Sequence, residues 1–159
     1  MGLVIGPSKS HSSYVPPFSW STAALGSTVC GGRLFCKSGT GIAWIVAPVA
    51  TEVSATWNGS TSGVVGNKPL VSSWSSLSTA LTNAGLTPSQ WFVPSYTQLL
   101  SGSRCKTYWD SWSSDNSYWS STEYDSTCAC YVFFPVNDGG PFATKTTNYR
   151  VRAFRCVTY

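Results

Sequence analysis

Ionisable side chains are scarce. Only 10% of the 159 residues are Asp, Glu, Lys or Arg, against about a quarter in an average soluble domain. Solubility therefore rests on Ser, Thr and Asn. The net charge is a modest +4, and the basic residues are scattered apart from Arg150, Arg152 and Arg155. Without a Lys/Arg run there is no footprint for a phosphate backbone, which excludes nucleic acid as a partner. No apolar run approaches the roughly 20 residues of a membrane span, so no membrane insertion is expected.

The shortage extends to catalytic and metal-binding groups. The one histidine, His11, lies in a Gly/Pro/Ser-rich leader, so Ser–His–acid and Cys–His arrangements lack a rigidly held base. Six acids, dispersed along the chain, make no strong site for a hard cation, which wants several oxygen ligands. Cys128-Ala129-Cys130 has no second close cysteine pair to complete a zinc site. No metal or cofactor is expected, and the chain is not expected to be an enzyme. A polysaccharide-acting enzyme, with Glu123 and Asp125 flanking a sugar bond, is the remaining catalytic alternative.

The six cysteines, Cys30, Cys36, Cys105, Cys128, Cys130 and Cys156, allow about 15 pairings if oxidised. In a reducing cytosol they are expected to be buried free thiols. If bridges form, Cys30 or Cys36 with Cys156 would tie the early strands to the last one.

What is abundant is aromatic: 14% of residues, with eight Trp and eight Tyr. Rings and hydroxyls together resemble the composition of recognition surfaces, and equally that of an aromatic core under a Ser/Thr coat. The leader MGLVIGPSKSHSSYVPP has neither a basic start nor a long apolar segment, so no secretory signal is read there. An extracellular composition without an export signal suits a virion protein, assembled in a host cytoplasm and exposed after lysis.

Taken in order, residues 1–20 read as an extended arm and 21–159 as one domain. Arg33–Lys37 and Gly41–Ala47 flank Ser38-Gly39-Thr40 as a hairpin, with Trp44 and Val46 on one face and Ala43 and Ile45 on the other. Residues 51–70 read as a long loop or ragged strands. Trp74, Leu77, Leu81 and Ala84 have helical spacing, with Gly85 as the stop. Ser95-Tyr96-Thr97-Gln98 has the form of a capping box and opens a second helix. Tyr118–Tyr124 precedes a turn at Asp125-Ser126-Thr127. Cys128–Phe134 then reads as an interior strand, because both its faces are apolar. A turn is expected at Asn137–Pro141, and Tyr149–Val157 as a continuous closing strand. Strands enclosing two helices indicate α+β with an antiparallel sheet.

Four blocks now carry a family resemblance. Trp91-Phe92-Val93-Pro94-Ser95-Tyr96-Thr97-Gln98-Leu99 resembles the W-R-L-P-(S/T)-x-x-E-L segment of the C-type-lectin-like Lcl C-terminal domain family, itself distantly similar to the formylglycine-generating enzyme fold. Tyr118–Tyr124 resembles its Y-W-S-S-T block, Ala129–Phe133 its A-W-Y-V-x-F strand, and Tyr149–Arg155 its Y-x-V-R-x-V-R ending. The likeness covers the second half of the chain, in the family's order. Phe92 and Gln98 depart from it, replacing the family's Arg and Glu. The resemblance implies a C-type-lectin-like fold of the kind found on phage tail fibres, with long loops on an antiparallel sheet and two short helices. It also implies a structural ion pair between Glu123 and Arg152 or Arg155.

Two readings of function follow. In the first, the chain is a non-enzymatic virion surface protein of tail-fibre or receptor-binding type. Its loops bind a host surface glycan or protein through Trp57, Asn58, Trp109, Trp112, Asn137 and Asp138. For each of the three tryptophans, ordinary core packing is the commoner fate. In the second, it is a capsid decoration or tail-assembly subunit clamped by its arm. In both, the partners are other virion proteins and further copies of the chain, a trimer being usual for fibre modules.

Overall fold

The computed structural model describes residues 18–57, 66–112, 117–135 and 142–159. In chain order the strands are β1 (Thr28–Val29), β2 (Gly32–Lys37), β3 (Ile42–Val46) and β4 (Val53–Ala55). The helices α1 (Ser75–Asn83) and α2 (Tyr96–Arg104) come next, followed by β5 (Ser117–Glu123), β6 (Cys128–Phe133), β7 (Ala143–Thr144), β8 (Tyr149–Val151) and β9 (Phe154–Thr158). Among the described residues the architecture is thus mixed α and β, with two helices and two sheets. One sheet runs β1-β2-β3-β9 and the other β4-β8-β5-β6-β7. The pairings are antiparallel except β5–β8, a single parallel bridge between Tyr118 and Arg150. The sequence pointed to one sheet; the chain builds two.

The hairpin forms where expected. The Ser38 hydroxyl accepts the Thr40 and Ile42 amides at 3.3 and 3.2 Å, closing the turn. Ala43 and Ile45 join one buried cluster, Val46 and Trp44 the other. The β2–β3 register slips between Leu34 and Cys36. This bulge sends Phe35 and Cys36 to the same cluster instead of to opposite faces. The β1–β2 hairpin turns on Cys30 and Gly31 at φ 48° and 83°. Positive φ at both central residues marks a type I′ turn, whose usual first residue is Asn or Asp.

Both helices follow local rules. α1 buries Leu77 and Leu81, and Gly85 at φ 74° ends it. Ser95 and Gln98 close the predicted capping box around the first turn of α2. Gly102 on α2 lies against the aromatic cluster. A Cβ there would stand 2.7 Å from the Phe154 ring, and that ring is fully buried beside Phe35 and Trp109.

Two expectations need correction. Residues 149–157 are not one strand: β8 ends at Val151, β9 begins at Phe154, and the two belong to different sheets. The break falls at Arg152 and Ala153. The Arg152 side chain turns inward, and the Ala153 carbonyl accepts the Ala47 amide at 2.9 Å. The cysteines are free, as expected for a reducing compartment, but none is buried: Cys30 and Cys156 are exposed and the other four half-buried. Cys36 and Cys156 both stand opposite Trp44, from the two strands that flank it. Strands two apart are separated by about 9–10 Å, beyond the reach of a disulfide.

Two substitutions test these constraints. Gly102→Ala is expected to lower stability by about 1–2 kcal/mol, although Ala is the better helix former, because the crowded Phe154 ring has no room to yield. Cys30→Asn is expected to raise it by about 1 kcal/mol by relieving the left-handed backbone. Equilibrium urea denaturation measures both, and a raised midpoint for Gly102→Ala would refute the packing argument.

Candidate functional site

The sequence-predicted contact residues do not come together on one surface. Trp57 is fully buried. Its indole donates to the Ser120 carbonyl at 2.8 Å, and its ring packs edge-on against Trp74. Trp109 is 6% exposed and sits among Phe35, Phe134 and Phe154. For these two the core reading holds, so neither offers a ring to a ligand. Trp112 is half-buried, with its ring near Phe134 and the Lys106 ammonium 4.2 Å from the ring centre. Asn58, Asn137 and Asp138 lie outside the described residues.

The Glu123 ion pair exists with a different partner. Lys145, not Arg152 or Arg155, donates to the Glu123 carboxylate at 2.6 Å. Lys145 is fully buried and also donates to the Ser126 carbonyl at 3.1 Å. Glu123 accepts the Gly66 amide as well, and its own amide donates to Asn67 at 2.9 Å. The Lys145 hydrogen bond, with lesser help from Gly66, holds the Glu123 carboxyl below its usual pKa. Arg155 donates to the Gln90 side chain and the Cys30 carbonyl.

Arg152 anchors a second network. It is 1% exposed and donates to the Ala47 carbonyl at 2.8 Å, to the Ser111 carbonyl and to Asp110. Glu52 lies 3.8 Å from it, 3.5 Å from Arg150, and accepts the Tyr118 hydroxyl at 2.7 Å. Burial pushes the Asp110 carboxyl up, but the Val49 amide and the Arg152 guanidinium outweigh it and hold it below the ordinary range. The fourth described acid, Asp125, caps its own turn. Its Oδ1 accepts the Thr127 amide and hydroxyl and the Cys128 amide. Those bonds, the Thr127 amide first, lower its pKa too.

The thiols are correspondingly quiet. Burial and neighbouring Cys36 push Cys105 up, and burial raises Cys130 and Cys156, so these three stay protonated at neutral pH. Cys36 and Cys105 line a half-open cavity of about 310 Å³ between the β2–β3 hairpin and α2, with Phe35, Trp44, Gln98 and Gly102. Gln98 is tied there by its cap. No group of three or more His, Cys, Asp or Glu among the described residues could hold a metal ion. None of the described helices is long and apolar enough to cross a membrane.

The surface does carry rings that sequence reasoning passed over. Tyr124 and Phe142 are 55% and 43% exposed and stack with centroids 4.0 Å apart at 15°. Their one signal in the sequence is position, each beside a turn. No protein-family model matches the chain, and no curated protein matches it.

Glu123→Gln is expected to destabilise by about 3 kcal/mol or more, and Lys145→Met by less. The first takes the balancing charge from a fully buried ammonium, whereas the second leaves a carboxylate that is 17% exposed. Thermal melts rank the two, and the reverse order would refute the assignment. Folded carboxyl pKa values held low contribute stability above the unfolded carboxylate range and lose it as pH falls through the folded values. Stability should therefore decline on acidification below about pH 5. The stability gap between the unmodified protein and Asp110→Asn should narrow over the same interval, measured by denaturant midpoints against pH.

Proposed function

We propose that the chain is a non-enzymatic protein of the phage particle surface, of tail-fibre or receptor-binding type. Its C-type-lectin-like scaffold presents loops and turns to a host surface glycan or protein. One observation carries this reading: every Asp and Glu among the described residues is engaged in the protein's own ion pairs and hydrogen bonds. Glu52 and Asp110 hold Arg152, Glu123 holds Lys145, and Asp125 holds its turn. That disposition suits a rigid scaffold rather than a general acid–base pair, which needs a carboxyl within reach of a reacting atom.

The blocks that carry the family resemblance support the scaffold reading. The segment 91–99 supplies the Phe92 bridges to Leu70 and Phe154 and then the capped start of α2. The other blocks become β5, β6 and the β8–β9 closure. The two departures from the family pattern are accommodated locally. Phe92 packs its ring near Trp44 and Phe154, and the Gln98 amide oxygen accepts the Ser95 amide at 2.8 Å as a carboxylate would.

A second reading, a decoration or tail-assembly subunit held by its arm, is favoured by the root of that arm. Trp20 stacks on Tyr159 at 5.4 Å, and the Lys37 ammonium donates to the Trp20 and Ala23 carbonyls at 3.2 and 2.6 Å. Residues 1–17 of the expected arm lie outside the described residues, and the segment they join is held at a fixed point, as a clamp requires.

Deletion of residues 1–17 separates the two readings, because it leaves the Trp20 anchor in place. Under the first, the shortened protein keeps its melting temperature and its binding to bacterial cells. Under the second, it keeps its melting temperature and is lost from particles, as read by mass spectrometry of purified virions. Release of sugar from bacterial polysaccharide by the full chain would overturn both.

A further inference from the structure

We propose that the exposed Tyr124–Phe142 stack is the ligand-contacting platform, and that it takes a neutral glycan by its apolar ring face. This rests on the surface-binding reading above and names the site and ligand class for it.

Tyr124 and Phe142 both stay in water, and the backbone beside each ring is fixed. The Tyr124 and Asp125 amides both donate to the Cys128 carbonyl at 3.1 Å. The Asp125 carboxylate closes the turn that follows. From below, Lys145 ties the Ser126 carbonyl to Glu123, and its own amide donates to the Thr127 carbonyl at 2.9 Å. Phe142 is placed opposite by the β6–β7 pairs Cys128–Thr144 and Ala129–Ala143. A platform held this way loses little conformational freedom on binding, and that loss is a main cost of recognition.

The rings lie near-parallel, so they form a flat stack and not the box that encloses a quaternary ammonium. Beside them are the exposed Ser126, Thr127 and Thr144, with the Thr144 and Thr147 hydroxyls 2.9 Å apart. Asp125 Oδ1 belongs to the turn, which leaves the other carboxylate oxygen for hydroxyl donors. A pyranose has the complementary features, an apolar C–H face and a rim of hydroxyls. Among the described residues, the exposed ionised group in the turn that follows Tyr124 is an acid, Asp125, which disfavours an anionic polymer. Two side chains also fall far short of the roughly 800 Å² per partner in a stable protein interface, so a second copy of the chain is a poor occupant.

The test uses the full chain on an array of neutral oligosaccharides containing hexose and N-acetylhexosamine, read by bound fluorescence and titrated on the best responders. Tyr124→Ala with Phe142→Ala is expected to weaken binding at least tenfold with an unchanged melting temperature. Tyr124→Trp is expected to keep or tighten binding, because it enlarges the ring. Tyr108→Ala, which removes an exposed ring elsewhere on the domain, serves as the control and is expected to bind as the unmodified protein does. If the unmodified protein binds and the double variant binds equally well, this site is wrong while the surface-binding reading stands. If the unmodified protein binds no glycan on the array yet adheres to bacterial cells, the ligand class is wrong. Binding neither overturns the site and the reading beneath it together.

Discussion

Arg152 is the residue on which the rest of the structure depends. An isolated guanidinium in a protein interior costs several kcal/mol, and only a full set of acceptors offsets this. Here the acceptors come from separate parts of the chain: the Ala47 carbonyl after β3, the Ser111 carbonyl and Asp110 after α2, and Glu52 before β4. Satisfying one side chain therefore fixes where three segments meet. It also explains the topology at the end of the chain. Because Arg152 must reach inward, the closing segment cannot remain one strand, and β8 and β9 enter different sheets. Trp109 packs its face near the same guanidinium, which joins the polar network to the aromatic cluster.

Lys145 repeats this arrangement at the far end of β5, where it meets Glu123. The chain has few charges, and it places two cations at full burial with carboxylates beside them. The outward consequence is a surface on which the proposed recognition falls to rings and hydroxyls. The inward consequence is that turns and loop ends are held by named hydrogen bonds instead of by regular structure alone.

Much of this was legible. The β2–β3 hairpin, α1 and the capped start of α2 follow from local patterns, each needing only a few neighbouring residues to specify it. The interior position of β6 also followed, because a strand apolar on both faces has no water-facing side. What was not legible depends on long-range geometry. The alternation from Tyr149 to Ala153 has period two, and nothing local marks Arg152 as inward. Glu123 was assigned to the wrong cation because Lys145 reaches it only through the β6–β7 pairing. Trp57 and Trp109 illustrate a different limit: the area that makes tryptophan suitable for a sugar also makes it suitable for a core, and only the fold decides. Tyr124 and Phe142 stand 18 positions apart in the sequence, and the same pairing makes them neighbours.

A buried ion pair is weak evidence for stability, since well-packed apolar residues of similar volume often do better. The Lys145–Glu123 pair is better understood through what an apolar pair would lack. Leucine or methionine in place of Lys145 would fill the space beside Trp57 but offer no donor to the Ser126 carbonyl. An apolar residue in place of Glu123 would offer no acceptor to the Gly66 amide. The turn from Tyr124 to Cys128 would keep its Asp125 cap and the backbone bond from Lys145 to Thr127, and lose the side-chain tie through Lys145 and Glu123. The pair thus sets a position that packing alone would leave loose, and the stacked rings of Tyr124 and Phe142 stand on that position.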